Sequence, residues 1–324
     1  MPRVSVAALA NDVESHEGDG VSVVIPSYGR FEALLRCVGS LRQSTPLPGA
    51  GVDITVVTSR YGPAELSVLQ SERCQVVLLD EVASASRSRN IGARGAPGRY
   101  LLFLDDDNVV APDMIWWLWR SLQNWTDACM VGPAMYYDSI PTRVWCAGVT
   151  RSRFFMKTKL LTNLPPDLSE RVPSEDFPNC FMVRRSEFIH VMGFDEGAFP
   201  QHMEEADLAR RLVATTQRRI YCVPRARLWH SINPSLADRL HLHSPDRAYL
   251  TSRSRTLFMA RYASTPQWLA YLLIGQWALL AVHCWAALTA ATPMSAVVFA
   301  LARGTLAGAR EGNRVRRQLK KLSG

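Results

Sequence analysis

None of the seven cysteines stands in a C-x-x-C pair, so the chain carries no paired-cysteine metal or redox motif. Cys37, Cys74, Cys129, Cys146, Cys180, Cys222 and Cys284 lie scattered in apolar stretches and read as free core thiols in a reducing compartment. A strong charge bias is missing as well. The net charge of +8 is spread over 324 residues, which suits an anionic ligand or an anionic membrane surface and gives no reason to expect nucleic acid. With 48% hydrophobic and 20% charged residues, the composition excludes wholesale disorder. The apolar stretch Val4–Ala10 is at the lower limit for a secretory signal core, so a cytosolic catalytic part is expected.

What is present is an alternation of strands and helices. Residues 1–20 are polar and Gly-containing and read as a disordered lead. "VSVVIPSYGR" (21–30) predicts a buried strand stopped by Pro26 and Gly29. A helix with apolar residues at 31, 34, 35, 38 and 41 follows, then the strands "VDITVVTS", "QVVLLD" and "RYLLFL". Strands apolar on both faces predict a mostly parallel α/β sheet covered on two sides. Ligands bind such sheets beyond the strands' carboxyl ends, where Tyr28, Thr58, Asp80 and Asp105 to Asp107 all fall. The pattern divides the chain into a first half over 21–124, a less regular second half over 125–260, with a long loop at 152–178, and a C-terminal part over 261–324.

The C-terminal part lacks charge where it is most apolar. Gln267 to Thr292 contains no Asp, Glu, Lys or Arg, and its 26 residues match the about 20 needed to cross a bilayer. A basic tail with seven Lys or Arg against one Glu follows from Arg303. A single crossing from a cytosolic domain would put that tail outside, against the positive-inside rule. A re-entrant hairpin, or helices lying in the interface, keeps it on anionic headgroups; a buried soluble helix pair is the alternative.

Two acidic groups carry the chemistry. Asp105, Asp106 and Asp107 close the strand "RYLLFL"; a D-x-D there offers hard oxygen ligands to Mg²⁺ or Mn²⁺, or an acid to cap the helix that follows. Glu204, Glu205 and Asp207 in "EEADLARRL" offer a general base for activating a hydroxyl, or first-turn acids that satisfy a helix dipole. The segments "VSVVIPSYGR", "SRNIGARGAPGRYLLFLDDDN", "PNCFMVRRSEFIHVMGFDE", "EEADLARRL" and "VPRARLWH", in that order, resemble the family 2 glycosyltransferases, inverting enzymes with a GT-A (Rossmann-like) fold. The resemblance runs over about 21–260.

That resemblance implies a nucleotide-diphosphate-sugar donor and Mg²⁺ or Mn²⁺. It implies Asp107 as the main metal ligand with Asp105 and His230 beside it, and Glu205 as base supported by Glu204 and Asp207. Donor contacts are implied at Pro26, Tyr28, Arg30, Thr58, Asp80, Arg89, Asn90, Asp105 and Asp106. Thr58 stands where the family usually has an Asp; a hydroxyl can bond a ribose or base edge without the bidentate charge. Arg253 and Arg255, in a segment common to membrane-linked members, are candidates for a diphosphate. The expected acceptor is a lipid-linked or amphiphilic glycan met at the cytoplasmic face of the membrane. Two other readings stay open: an inactive sugar-nucleotide-binding subunit, and a phosphohydrolase of the haloacid dehalogenase type. The latter normally has its D-x-D on the first strand with a nearby Thr, and neither holds in this sequence.

Overall fold

The structure, a computed structural model, describes residues 18–152, 156–232, 244–289 and 294–322. Up to residue 17 the expected lead lies outside the described residues, and Gly18 to Gly20 already belong to β1 (Gly18–Pro26). The chain then runs α1 (Phe31–Arg42), β2 (Val52–Thr58), α2 (Pro63–Ser71), β3 (Gln75–Leu78), α3 (Ala85–Arg94), β4 (Gly98–Leu104), β5 (Asn108–Val110) and α4 (Met114–Asn124). Strands β6 (Ala128–Tyr137), β7 (Ile140–Cys146), β8 (Val149–Arg151), β9 (Thr158–Leu160), β10 (Val172–Ser174) and β11 (Cys180–Arg184) follow, with α5 (Arg185–His190), α6 (Glu204–Thr216) and β12 (Arg219–His230) after them. The C-terminal helices are α7 (Pro245–Tyr262), α8 (Thr265–Ala270), a π-helical turn (Tyr271–Gly275), α9 (Gln276–Thr289) and α10 (Met294–Leu322).

The main sheet has the order β10-β12-β6-β11-β4-β1-β2-β3. Strands β3, β2, β1 and β4 are mutually parallel, β11 runs against β4 and β6, and β12 is parallel to β6. The apolar runs that predicted strands are buried on both faces: Val23, Val24, Ile25, Leu101, Leu102 and Phe103 are wholly inaccessible. At about 1.5–3 kcal/mol per side chain, these central strands form the rigid floor on which the acids stand. The long loop expected over 152–178 contains two short strands, β9 and β10. The six cysteines other than Cys284 are buried free thiols.

The C-terminal part differs most from expectation. The uncharged run is divided by the π-helical turn, and among the described residues no helix is long and apolar enough to cross a membrane. Ser264 caps α8 in a reciprocal box with Gln267. The basic segment is not a free tail, because α10 lies along α7. Gly304, Gly308 and Gly312 are spaced four apart on one face, and a Cβ there would come within 2.3 Å of the Tyr249 carbonyl, 2.5 Å of the Arg253 carbonyl and 2.2 Å of the Ala260 Cβ. Arg316 donates to the Ala260 and Ala263 carbonyls at 3.1 and 2.8 Å, capping the end of α7. Gly308→Leu is therefore expected to cost about 1–3 kcal/mol by overpacking, read as a fall of several degrees in Tm.

Candidate active site

Asp105 to Asp107 leave β4 where it emerges from the core. Asp113, not the triad, occupies the position before α4, and β5 intervenes, so the helix-cap alternative fails for all three acids. Asp106 is fully buried and accepts a 2.5 Å hydrogen bond from the Ser27 hydroxyl, which is itself 2.6 Å from the Tyr61 hydroxyl. Burial pushes the Asp106 carboxyl up to about 6, against the lowering pull of Arg30 and Ser27. Arg30 spans Asp106 and Asp107 with a half-exposed guanidinium.

Asp107 also meets the end of β12, where His230 Nε2 stands 3.4 Å from its Oδ1. His230 pairs across the strands with Asn108 and lies against Trp145, ring centroids 4.7 Å apart. Burial alone would raise the Asp107 carboxyl, but His230 and Arg30 hold it below the usual range. Among the described residues no group of three His, Cys, Asp or Glu side chains forms a self-contained metal cage. What is present is a buried carboxylate oxygen, Asp107 Oδ1, and an imidazole nitrogen converging on one point. Such a partial donor set suits Mg²⁺ or Mn²⁺ completed by phosphate and water.

The second acidic group is joined to the first by Arg89. α3 packs closely on β1, where a Cβ on Gly92 would lie 2.5 Å from Val24 Cγ1. This seats Arg89 in the interior, 2% exposed. Its guanidinium donates to Asp105 at 2.7 Å, Glu205 at 3.0 Å and Glu204 at 3.3 Å, so it is a buried tie between carboxylates, not an open phosphate contact. Glu204 and Glu205 open α6 after two residues in the left-handed region, His202 and Met203. Burial raises both carboxyls, Glu204 to about 8 and Glu205 upward against the pull of Arg89. Glu205 is the more open of the two, its side chain 16% exposed against 5%.

These shifts have a sign. A carboxyl whose folded pKa lies above its unfolded value contributes stability at low pH, and that contribution is lost as pH rises through the folded pKa. Unfolding free energy is therefore expected to fall between about pH 4.5 and 8 through Glu204. Glu204→Gln should flatten that slope in urea titrations repeated across the range.

Other candidates fall into place around this centre. Pro26 ends β1 opposite Val57, and Thr58 is buried at the end of β2, its hydroxyl accepting from the Arg60 amide at 3.3 Å. Tyr28 is half-exposed with Arg60 over its ring at 4.6 Å, and Asp80 is exposed just past β3. Asn90 is committed to the Phe194–Glu196 turn, donating to the Phe194 carbonyl and Glu196 and accepting from the Phe194 amide, which removes it from nucleotide contact. Asp207 is buried and accepts from Arg211, Arg261 and Tyr262; it docks α7 onto α6. Arg253 is filled by a bidentate pair with Glu311 and by the Ala198 carbonyl, so it is a joint between α7 and α10 in place of the expected diphosphate contact. Arg255 has no ion pair among the described residues, and burial lowers its pKa. Sequence reasoning missed Ser27, Tyr61 and Trp145, and also Asn179, whose buried amide has neither polar atom partnered among the described residues while its carbonyl accepts from the Asp105 amide. Asn179 lies inside "PNCFMVRR" and has a φ of +54°, but nothing in its local sequence pattern signals an unpaired amide.

A mostly parallel α/β sheet with Asp105 to Asp107 at the carboxyl end of β4 has the arrangement of a GT-A fold, and comparison with known proteins agrees. The family model for Glycosyl transferase family 2 matches residues 22–188, just over half of the chain. The chain belongs to that family. It is 26% identical over 123 residues to glycosyltransferase GlyG of Streptococcus pneumoniae, covering 36% of this chain and 40% of that one. It is 32% identical over 95 residues to an uncharacterized glycosyltransferase of Haemophilus influenzae, covering 29% and 31%. Over 98 residues it is 26% identical to the succinoglycan biosynthesis protein ExoO of Rhizobium meliloti, covering 29% and 27%. The chain thus spans less than half the length of these curated relatives. The structure of GalNAc-T7 with UDP, GalNAc and Mn²⁺ shares the fold, with a TM-score of 0.61 at 16% identity over 81% of this chain and 51% of that one.

Proposed function

We propose that the protein is an inverting transferase that moves a sugar from a nucleotide-diphosphate-sugar to a hydroxyl of a lipid-linked or amphiphilic glycan at the cytoplasmic membrane face. The observation that carries this is the single bridge of Arg89 between Asp105 and Glu205, which holds donor rim and base in one rigid unit. In this reading Asp107 and His230 hold Mg²⁺ or Mn²⁺, which when bound neutralises charge on the departing diphosphate. Arg30, beside Asp107, and Arg255, which has no ion pair among the described residues, supply further positive charge for phosphate. Glu205, raised toward neutrality, takes the proton from the acceptor hydroxyl as the oxygen attacks the anomeric carbon. Thr58 and Asp80 line the nucleotide end, and Asn179 supplies two hydrogen bonds for sugar hydroxyls.

The membrane part of the proposal is supported by exposed apolar side chains at the C-terminus. Leu273, Trp277 and Trp285 on the π-helical turn and α9, and Phe299 on α10, are more than half exposed, and Arg310, Arg314 and Arg317 are exposed nearby in sequence. Apolar and aromatic side chains together with cations suit an interfacial seat on anionic lipid.

A thermal-shift panel of nucleotide-sugars with and without Mn²⁺ tests the core of the proposal. One donor is expected to raise Tm only with the metal, and Asp107→Ala should abolish that rise. A donor-induced rise that is the same without metal and in Asp107→Ala would refute the assignment of Asp107.

A further inference from the structure

The turn that delivers Glu204 and Glu205 to the acid centre runs from Asp195 to Met203, between α5 and α6. It has no helix or strand of its own, and its last two residues, His202 and Met203, hold φ of +63° and +66°. Successive non-glycine residues in the left-handed region persist only where surrounding contacts over-determine them. Glu204 and Glu205 follow directly, so whatever fixes this turn also fixes the two carboxylates.

The contacts come from both sides. On one side is α3, which also carries Arg89: the Ser86 amide and hydroxyl donate to the Pro200 and Phe199 carbonyls. On the other side is α7. Arg253 donates to the Ala198 and Gly197 carbonyls at 2.9 and 3.4 Å, and Ser254 to the Gln201 carbonyl at 2.9 Å. The Phe258 ring meets the buried Phe199 ring edge-on, centroids 6.3 Å apart. Arg261 closes the set. Its Nη1 alone donates to Asp195 at 2.9 Å and to Asp207 at 2.8 Å, which ties the start of the turn to the first turn of α6.

The Asp207 end of that bridge sets a rotation. Residues two apart on a helix lie about 200° apart around its axis. With Asp207 held against α7, Glu205 is turned to the far side of α6, where Arg89 meets it at 3.0 Å. Arg253 is braced from behind by Glu311 of α10, so both C-terminal helices take part.

We infer that α7 is a clamp for the base, with Arg261 and Arg253 as positioning residues that aim Glu205 by fixing the 195–203 turn and the rotation of α6. The inference rests on the reading of Glu205 as base, and both arginines act through that carboxylate. A misplacement of about 1 Å can cost about a hundredfold in rate, so loosening the clamp should appear in kcat before it appears in binding.

The test is a double-mutant cycle on the full chain with Mn²⁺. The substrate is the nucleotide-sugar from which the wild-type chain releases nucleotide diphosphate fastest in a panel. R261M is expected to lower kcat about ten- to a hundredfold with donor KM within about twofold of wild type. Arg211 and Tyr262 remain on Asp207, so the fold should survive. R253K keeps the charge but cannot reach Glu311 and two carbonyls together, and it takes the same place in the cycle if R261M melts below the assay temperature. R261K should restore kcat to within about threefold of wild type, because one ammonium can serve both carboxylates as Nη1 does. In the E205Q background, R261M should cost less than about twofold more, since no base is left to aim. A structural role alone would multiply with E205Q. A kcat for R261M within about twofold of wild type, no rescue by R261K, or losses that multiply in full would overturn the clamp. E205Q separates the two levels: undiminished release in E205Q defeats the base reading and the clamp with it, whereas an impaired E205Q beside an unimpaired R261M defeats the clamp alone.

Discussion

Glu205→Gln is expected to lower kcat by about 10²–10⁴-fold while leaving donor binding intact, the range for loss of a positioned general base. The amide keeps the size of the carboxylate and a hydrogen-bonding oxygen for Arg89, but it takes up no proton. Arg89 retains Asp105 and Glu204, so the fold should survive. Glu204→Gln provides the contrast. Its carboxyl is more deeply buried and its pKa is pushed up to about 8, which leaves it mostly protonated at neutral pH and unsuited to be the base. A loss below about tenfold is expected there. Steady-state transfer kinetics on both variants, with donor-induced thermal shift as the binding control, check the pair; the reverse order of losses would move the base to Glu204. In the wild-type enzyme kcat/KM should rise with pH on its acid side through a pKa above the ordinary carboxylate value, because burial raises Glu205.

Arg89→Leu should be the most destabilising single change in the catalytic half. It removes a 2%-exposed cation, leaving Asp105 and Glu205 without their counter-charge and Glu204 without its hydrogen-bond donor. Breaking a buried ion cluster in this way costs about 3–5 kcal/mol, a fall in Tm of roughly 6 °C or more at this chain length. The deficit should shrink at acidic pH, as protonation of the carboxyls relieves their repulsion. Arg89→Lys keeps the charge but cannot fork between acids, and is expected to lie between wild type and Arg89→Leu. A Tm for Arg89→Leu within a degree of wild type at neutral pH would remove Arg89 from its proposed role as the rigid bridge.

The parts of this architecture legible in the sequence are those encoded locally. "VSVVIP", "ITVVT" and "RYLLFL" are buried runs too short for helices, and they form the parallel core. The acid triad's place at a strand end followed directly from where the apolar run stops. Pairings between distant segments carried no comparable signal. Arg89 reads as a phosphate ligand in "SRNIG", yet its partners lie 115 and 116 residues later. Asn90 likewise finds its partners about a hundred residues on, in the Phe194–Glu196 turn. At the C-terminus, hydropathy drew attention to the uncharged run and away from Gly304, Gly308 and Gly312. That four-residue spacing is visible in the sequence, and it is what lets α10 lie against α7.

The central claim is that Asp107 and Glu205 serve one reaction, sugar transfer from a nucleotide-diphosphate-sugar. Release of nucleotide diphosphate and of inorganic phosphate, followed together across a donor panel with Mn²⁺, tests it most directly. The wild-type chain is predicted to release nucleotide diphosphate from one donor, and Asp107→Ala and Glu205→Gln to reduce that release at least about a hundredfold. Release of inorganic phosphate instead, or undiminished turnover in both variants, would contradict it.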